Sequence, residues 1–218
     1  LTAEDQGYWG ALPNIRVIPN PLPFTSDETS SCKATKVVAV GRYDFQKNFS
    51  KLLQLWARIA PQFPEWTLEI YGNGALRGEL EQELKDLGIS SSVTLAQPTH
   101  QMKEVYLSAS IYAMTSRYEG LPMVLIEAQQ MGLPIVSFAC PCGPRDVIHD
   151  GEDGFLIPMG EDDIFLKALT TLMASEEKRA CMGQRAREAS ARYEVDAVMN
   201  KWLTLFSELV PTKPTSRL

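Results

Sequence analysis

Two glutamates, Glu119 and Glu127, bracket the segment EGLPMVLIE, which follows the apolar run IYAMTS. The run predicts a strand, and the segment predicts a turn at Glu119-Gly120 and a helix from near Leu121, with Pro122 in its first turn. Free backbone N–H groups and the positive end of a helix then lie beside two carboxylates. Such N–H groups hold phosphate oxygens, and carboxylates accept hydrogen bonds from sugar hydroxyls. The segment predicts a site for a sugar linked to phosphate, unless both glutamates are solvated surface residues.

A second polar loop follows the apolar run KVVAVG and contains Gly41, Arg42 and Lys47. Lys47 is predicted at a helix start, where a cation is unfavourable unless an anion lies nearby. An arginine fork and a lysine charge at one strand end can bind a diphosphate and neutralise the charge of a departing nucleotide. The loop therefore predicts a diphosphate clamp, the alternative being two solvated surface cations.

The elements that position these loops alternate along the chain. Strands are predicted in KVVAVG, TLEIYG, SVTLAQ, IYAMTS, PIVSFA and GFLIP, and helices over residues 47–60, 75–87, 99–109, 121–131, 143–149 and 161–174. Apolar strands separated by helices favour an α/β fold with a doubly wound, Rossmann-like parallel sheet of about six strands and helices on both faces. Two further C-terminal helices, over 176–192 and 195–209, are predicted outside the sheet. Ligands bind at the carboxyl ends of strands in such sheets, so the polar loops lie where a site is expected.

The tripeptide GNG at residues 72–74 follows the second predicted strand. Arg77 stands where the dinucleotide-binding pattern G-x-G-x-x-G requires its third glycine. We therefore interpret GNG as a tight turn that lets the backbone approach a ligand or simply begins a helix, and we predict no nicotinamide cofactor.

The ends of the chain differ in composition from its centre. Pro19, Pro21 and Pro23 enforce an extended path, so the stretch through Phe24 is predicted to be an interdomain linker. The tail PTKPTSRL is predicted to be disordered. We divide the chain into the end of an N-terminal domain and linker (1–34), a nucleotide-sugar donor-binding Rossmann-like domain (35–195), and a C-terminal helix with a disordered tail (196–218). Because the chain lacks an initiator Met and starts within a pattern, we expect a fragment of a longer protein.

Composition excludes several classes of function. The 218 residues are 44% hydrophobic and 22% charged, which suffices for one substantial core. A net charge of -6 argues against a nucleic-acid partner, which needs a concentrated basic patch. No apolar run approaches the roughly 18 residues of a membrane span. The four cysteines lack the spacing of a zinc site and are predicted to be reduced thiols, namely Cys32, Cys140, Cys142 and Cys181.

Five segments, in this order and spacing, resemble one family: VIPNPLPF, VAVGRYDFQKN, LEIYGNG, SRYEGLPMVLIEAQQMGLPIVS and CGPRDVIHDGEDGFLIP. They are similar to the C-terminal, donor-binding domain of retaining glycosyltransferases of the two-Rossmann-domain (GT-B) fold, in glycosyltransferase family four. The resemblance covers about residues 15–195. It implies transfer of a hexose from a nucleotide sugar, UDP-linked, to a glycan or lipid-linked acceptor in cell-envelope polysaccharide synthesis. It implies no metal and no cofactor, and an acceptor-binding N-terminal domain outside this chain, without which the chain is inactive.

The resemblance also implies roles for the charged residues. Arg42 and Lys47 match the basic pair that binds the donor diphosphate and supports the leaving group, with Gly41 in the same loop. Glu119 matches the first glutamate of the family, which contacts the transferred sugar. Glu127 matches the second, which holds the ribose hydroxyls. We therefore predict Arg42, Lys47 and Glu119 as catalytic and all five residues as donor-binding.

Uncharged residues of two further loops complete the predicted site. The backbone N–H groups of Gly120 and Leu121 are implied to assist at the sugar. The loop after the third strand, Gln97, Pro98 and Thr99, is implied to lie beside the nucleobase.

Two other functions stay open at this stage. A nucleotide-sugar epimerase of the same fold would need catalytic acids beyond the glutamates and the Arg-Lys pair, and a non-catalytic nucleotide-binding module would have a decayed site. Cys140 and Cys142 stand in a segment that is often more polar in the family. The resemblance implies a cytoplasmic protein, at the inner face of the membrane if the full-length protein associates with it peripherally.

Overall fold

One sheet organises the molecule. The computed structural model describes residues 2–10, 12 and 14–210. Its strands are β1 (Lys36–Val40), β2 (Thr67–Tyr71), β3 (Val93–Ala96), β4 (Ile111–Met114), β5 (Ile135–Phe138) and β6 (Gly154–Ile157). Within the described residues they form a six-stranded parallel sheet in the order β3-β2-β1-β4-β5-β6. The predicted doubly wound, Rossmann-like sheet is confirmed.

The strand order decides which loops are neighbours. β1 pairs with β2 on one side and directly with β4 on the other, with Val37 opposite Ile111. Successive strands are therefore added towards one edge of the sheet from β1 to β3 and towards the other edge from β4 to β6, so the strand order reverses between β1 and β4. In sheets of this kind a crevice forms outside the carboxyl ends of the strands at the reversal. The loops that follow β1 and β4 meet at that crevice.

Helices cover the sheet where the sequence predicts them. They are α1 (Ala3–Tyr8), α2 (Phe49–Ile59), α3 (Arg77–Asp86), α4 (Met102–Leu107), α5 (Met123–Gln130), α6 (Pro144–Val147), α7 (Asp162–Ala174), α8 (Glu176–Ser190) and α9 (Val195–Leu209). Each predicted helical stretch contains one of them, and most are shorter than predicted. The stretch predicted over 99–109, for example, contains the six residues of α4.

Alternate residues of β1 enter two separate cores. Val37 and Ala39 of β1 pack with Trp56 of α2 on one face of the sheet. Val38, between them, packs with Leu125 of α5 on the other face. All five side chains are fully buried. Both faces of the sheet are thus covered, which is why β4 and β5 are buried at every residue.

The opening stretch departs from the predicted linker, because it begins with α1. The hydroxyl of Thr2 caps this helix by accepting from the N–H of Asp5 at 3.0 Å. The carboxylate of Asp146 accepts from the N–H groups of Ala3 and Glu4 at 2.8 and 3.3 Å. A cap supplied from more than a hundred residues away leaves no local pattern in the sequence. Residues 15–35 contain neither helix nor strand, and the assignment of this stretch as an interdomain linker stays a prediction.

The last two helices lie outside the sheet, as predicted. α9 buries Val198 and leaves Met199, Trp202 and Phe206 exposed along one side. In the described ranges, none of the helices combines the length and the apolar character that a membrane span requires. The tail PTKPTSRL lies outside the described residues.

We predict that Gly72 and Gly78 respond in opposite directions to alanine. A Cβ on Gly72 would lie 1.8 Å from the carbonyl oxygen of Gly41, whereas a Cβ on Gly78, in the exposed start of α3, would meet nothing within 4 Å. Gly72→Ala should therefore lower the free energy of unfolding by about 1–3 kcal/mol. Gly78→Ala should leave it unchanged or raise it by up to about 1 kcal/mol. Urea unfolding followed by circular dichroism measures both, and equal stabilities would contradict the close packing of these loops.

Candidate functional site

The loops after β1 and β4 are hydrogen-bonded to each other along their length. The N–H of Arg117 donates to the carbonyl of Gln46 at 2.8 Å. The amide of Asn48 donates to the carbonyl of Thr115 at 3.2 Å, and the hydroxyl of Thr115 donates to the carbonyl of Asn48 at 3.1 Å. These bonds fix the register of one loop against the other. The charged side chains of the two loops are therefore held in a defined relative position.

An ion pair between Lys47 and Glu119 lies at the centre of this joined surface. The Nζ of Lys47 lies 2.7 Å from Oε1 of Glu119, and the two side chains are only 14% and 6% exposed. The aliphatic part of Lys47 packs on Gly41, where an added Cβ would come within 2.9 Å of it. At such exposure water screens the charges weakly, so each charge stabilises the other in place. The sequence predicted both residues in the site, and the structure brings them into contact.

The sequence predicted Lys47 at the start of a helix, and this prediction is wrong. The residue after it, Asn48, has a left-handed backbone with φ of 54°, and α2 begins at Phe49. Asp44 supports this turn, since its carboxylate accepts from the N–H of Lys47 at 3.0 Å. A residue with positive φ cannot belong to the first turn of a right-handed helix. The lysine side chain is thereby free to turn across the crevice towards Glu119.

Arg42 lies outside the ion pair. Its side chain is 72% exposed, and its guanidinium contacts the carboxylate of Asp44 at 3.1 Å. It also donates to the side-chain oxygen of Gln46 at 3.2 Å. The amide nitrogen of Gln46 in turn donates to the carbonyl of Tyr118, next to Glu119, at 3.0 Å. Arg42 is thus connected to the glutamate loop through Gln46. Its long, exposed side chain lies at the rim of the crevice.

The start of α5 differs from the prediction. The helix begins at Met123, two residues later than expected, with Pro122 in an extended conformation before it. A residue that precedes proline disfavours the α region, so Leu121 cannot enter the helix. Among the described residues, the N–H groups of Gly120 and Leu121 donate to no acceptor. Gly143 makes room for this turn, because its φ is +100° and a Cβ there would lie 2.3 Å from the carbonyl oxygen of Gly120.

Glu127 lies one turn into α5, half-buried among apolar neighbours. Its Oε2 accepts a hydrogen bond of 2.8 Å from the hydroxyl of Tyr106 on α4, and Tyr106 is fully buried. Burial raises the pKa of Glu127, and the hydrogen bond from Tyr106 opposes that rise. The sequence predicts that a carboxylate in such surroundings needs a specific donor, and the structure provides one in Tyr106.

The loop after β3 is set apart from these charges. Gln97 and Pro98 are exposed, and the hydroxyl of Thr99 accepts from the N–H of Gln101 at 3.0 Å. β2 lies between β3 and β1, so this loop does not reach the ion pair. The intervening GNG turn packs on the first loop, where the N–H of Tyr43 donates to the carbonyl of Asn73 at 2.9 Å. GNG is thus a tight turn packed on the first loop shortly before α3, and its predicted approach to a ligand stays a prediction.

The two cysteines of the loop after β5 are free thiols. Cys140 is buried, and burial raises its pKa to about 12. The N–H of Cys142 donates to the carboxylate of Glu4 in α1 at 3.0 Å, with φ of 63° at Cys142. The carbonyl of Pro141, between them, accepts from the N–H of Glu119 at 2.9 Å. This loop thus supports the glutamate turn through its backbone and keeps its buried thiol protonated.

Sequence reasoning missed three supporting residues of the site. Asp44 and Gln46 stand within the motif GRYDFQKN, and their polar side chains between Arg42 and Lys47 were the available signal. Tyr106 gave no signal, because a tyrosine on the apolar side of a predicted helix is typical of an ordinary core position. Its contact with a glutamate 21 residues away follows from the packing of α4 against α5.

Comparisons with known proteins show which family the chain belongs to. Residues 26–189 match the family model described as glycosyl transferases group 1. The chain is 37% identical over 212 residues to the amylovoran biosynthesis glycosyltransferase AmsD of Erwinia amylovora, covering 93% of this chain and 59% of that protein. It is 28% identical over 214 residues to a Campylobacter jejuni alpha-1,4-N-acetyl-D-galactosaminyltransferase named for an undecaprenol-linked substrate, covering 96% of this chain and 59% of that protein.

A solved structure shows the same fold. The chain superposes on S. aureus TarM, crystallised with fondaparinux, alpha-GlcNAc-glycerol and UDP, with a TM-score of 0.83 and 23% identity. The match covers 93% of this chain and 41% of TarM. The chain thus spans less than two thirds of the length of each of these three proteins. Because the family model covers most of its residues, the chain belongs to the group 1 glycosyltransferases.

Proposed function

We propose that this chain is the donor-binding half of a retaining glycosyltransferase that transfers a hexose from a UDP-linked sugar to a glycan or lipid-linked acceptor. The Lys47–Glu119 ion pair carries the proposal, because it places one cation and one carboxylate together at the reversal point of the sheet. A nucleotide sugar needs both groups. Its diphosphate is anionic, whereas its sugar presents hydroxyl donors that a carboxylate accepts.

Lys47 and Arg42 serve the diphosphate. In the transfer step an acceptor oxygen bonds to the anomeric carbon while the bond between that carbon and the β-phosphate oxygen breaks. The electron pair of the broken bond remains on the phosphate, and the acceptor hydroxyl loses its proton to the departing diphosphate. Cations preorganised at that oxygen stabilise the developing charge, and Lys47 is already held in place on Gly41. Arg42 is 72% exposed at the rim, so its long side chain can reach a bound phosphate without breaking a buried contact. We propose that these cations make a divalent metal unnecessary.

Glu119 and the turn after it serve the transferred sugar. The carboxylate has one oxygen on Lys47, and the N–H groups of Gly120 and Leu121 have no acceptor among the described residues. Donors and an acceptor in one turn suit a hexose, whose hydroxyls both donate and accept hydrogen bonds. Without Lys47, Glu119 would be an uncompensated anion beside a diphosphate, so the ion pair makes the two binding roles compatible.

Glu127 and the loop after β3 serve the nucleoside. Glu127 lies one turn into α5, the helix that begins after Glu119. Strands in a sheet are about 4.8 Å apart, so the loop after β3 lies roughly 10 Å to the side of the loop after β1. We propose that the ribose binds at Glu127 and that the base extends towards Gln97, Pro98 and Thr99.

The acceptor requires residues outside this chain. The chain spans 59% of each of its two curated relatives, and its described residues supply groups for the donor. We propose that the remainder of the protein binds the acceptor and that the chain alone has no transferase activity. The Campylobacter relative is named for an undecaprenol-linked substrate, which supports a lipid-linked acceptor. We further propose that the full protein associates peripherally with the cytoplasmic face of a membrane.

The proposal predicts metal-independent nucleotide binding. Titration of the chain with UDP, GDP and ADP by calorimetry, in the presence of EDTA, should give a binding heat with UDP in preference to the others. Adding Mg²⁺ should leave the UDP affinity unchanged within about twofold, since no step assigns a role to a metal. Failure to bind any of the three nucleotides would disprove the donor site, and binding that appears only with Mg²⁺ would disprove the role of the cations.

Lys47→Met should weaken UDP binding by about 10- to 100-fold, because it removes a charge-assisted contact with the diphosphate. Uridine, which has no phosphate, should bind the variant and the parent chain equally. Lys51→Met is the matched control, since Lys51 forms an ion pair of 2.9 Å with Asp162 away from the crevice. Equal losses for UDP and uridine would show that Lys47 acts on the fold of the loop rather than on the diphosphate.

Glu127→Gln should stabilise the chain while weakening UDP binding. Burial raises the pKa of Glu127, so the folded state binds this proton more tightly than the unfolded chain. The ionised carboxylate therefore costs stability at neutral pH, and the cost disappears as the pH falls through its pKa. Glutamine removes the charge and keeps an acceptor for Tyr106. The melting temperature of the variant should exceed that of the parent at pH 7, with the difference shrinking towards pH 4.

Glu65→Gln is the control for that experiment, because Glu65 is an exposed loop residue and its replacement should leave the melting temperature and the UDP affinity unchanged. The melting temperature of the Glu127→Gln variant minus that of the parent should be larger at pH 7 than at acidic pH. The opposite order would contradict the unfavourable burial of the carboxylate.

A further inference from the structure

The hydroxyl of Tyr106 is the one side-chain donor that contacts Glu127 in the part of the chain that the structure describes. The tyrosine lies on α4, fully buried, and donates to Oε2 of Glu127 at 2.8 Å. Its ring packs at 6.2 Å, centroid to centroid, on the ring of Tyr112 in β4. A fully buried ring between a helix and a strand cannot change rotamer without opening the core.

The contact makes the two carboxylate oxygens of Glu127 unequal. Oε2 is held by the phenol, whereas Oε1 has no partner among the described residues. A carboxylate on an exposed helix position samples several rotamers, and fixing them costs free energy when a ligand binds. Tyr106 fixes the direction of the Glu127 carboxylate in the folded chain. The loss of rotamer entropy therefore occurs during folding and not when the ligand binds.

We propose that Tyr106 is a positioning residue for the nucleotide donor: it fixes the Glu127 carboxylate so that Oε1 accepts the ribose hydroxyls. The inference rests on the proposed function, since it assumes that Glu127 binds the ribose. Tyr106 is too deeply buried to touch the nucleotide itself. Its effect on binding must therefore pass through Glu127, and this separates it from a residue that contacts the donor.

The chemistry of the pair suits this role. Burial raises the pKa of Tyr106 well above its ordinary value, so the phenol stays protonated and remains a donor wherever Glu127 is ionised. The same hydrogen bond opposes the effect of burial on Glu127 and favours its ionised form. An ionised carboxylate accepts hydrogen bonds more strongly than a neutral acid. Tyr106 thus stabilises both the direction and the charge that a ribose hydroxyl recognises.

Tyr106→Phe tests the inference, because it removes one oxygen and keeps the ring. Calorimetry on the 218-residue chain compares UDP with 2′,3′-dideoxy-UDP, which lacks the ribose hydroxyls. The variant should bind UDP about tenfold more weakly than the parent, the effect of losing one hydrogen bond to a charged group. It should bind the dideoxy nucleotide as the parent does, since no hydroxyl then meets Glu127. A defect in folding would weaken the binding of both nucleotides. It would not make the difference in affinity between parent and variant disappear when the ribose hydroxyls are absent.

Tyr112→Phe is the matched control. Tyr112 is an equally buried neighbour whose hydroxyl contacts the backbone of Val40 at 3.3 Å. The Tyr112→Phe substitution should leave the ratio of UDP affinity to dideoxy-UDP affinity unchanged, whatever its effect on stability. A loss in Tyr106→Phe that is equal for both nucleotides, or no loss at all, would overturn the positioning role. Absence of UDP binding by the parent chain would instead overturn the proposed function together with this inference.

A double variant keeps the test decisive if Tyr106→Phe does not fold. Glu127→Gln removes the buried charge that would be left without its donor, so Tyr106→Phe should be tolerated in that background. If Tyr106 acts through Glu127, adding Tyr106→Phe to Glu127→Gln should change UDP affinity by less than about twofold. A further tenfold loss in the double variant would show that Tyr106 acts on binding by another route.

Discussion

The site depends on the contact between Lys47 and Glu119, a cation and a carboxylate 2.7 Å apart and nearly withdrawn from water. Each charge alone would be costly at such exposure, and together they form a stable element. The contact ties the loop after β1 to the loop after β4. Gln46 connects Arg42 at the rim to the glutamate loop beside this pair.

Strand order is what allows this contact. The two residues are 72 positions apart in sequence and meet because β4 inserts beside β1 in the centre of the sheet. Glycines then let the surrounding loops close on one another. Gly72 passes the carbonyl of Gly41, and Gly143 passes that of Gly120, at distances that no Cβ would permit. The fold and the site are thus two consequences of the same packing of loops at the carboxyl edge.

The sequence predicted the strands and the fold, which the structure confirms. It also predicted site roles for Lys47, Glu119 and Glu127, which stay predictions, although the structure does bring Lys47 and Glu119 into contact. Apolar runs identify strands wherever both faces are buried, and the motif spacing identifies Lys47, Glu119 and Glu127. What it missed depends on contacts between distant residues. The cap on α1 comes from Asp146, and the donor to Glu127 comes from Tyr106, whose position has an ordinary core pattern. The late start of α5 was predictable in principle, since Pro122 restricts the residue before it.

Glu127 shows that the site is held against a cost in stability. Its burial disfavours the charge on which its proposed role depends, and the hydrogen bond from Tyr106 limits that cost. The most direct test is a crystal structure of the chain with UDP. The account predicts a phosphate oxygen near the Nζ of Lys47 and the ribose hydroxyls within about 3 Å of Glu127, with Tyr106 still bound to Oε2. A nucleotide bound away from the crevice between β1 and β4, or a ribose that contacts neither oxygen of Glu127, would contradict it.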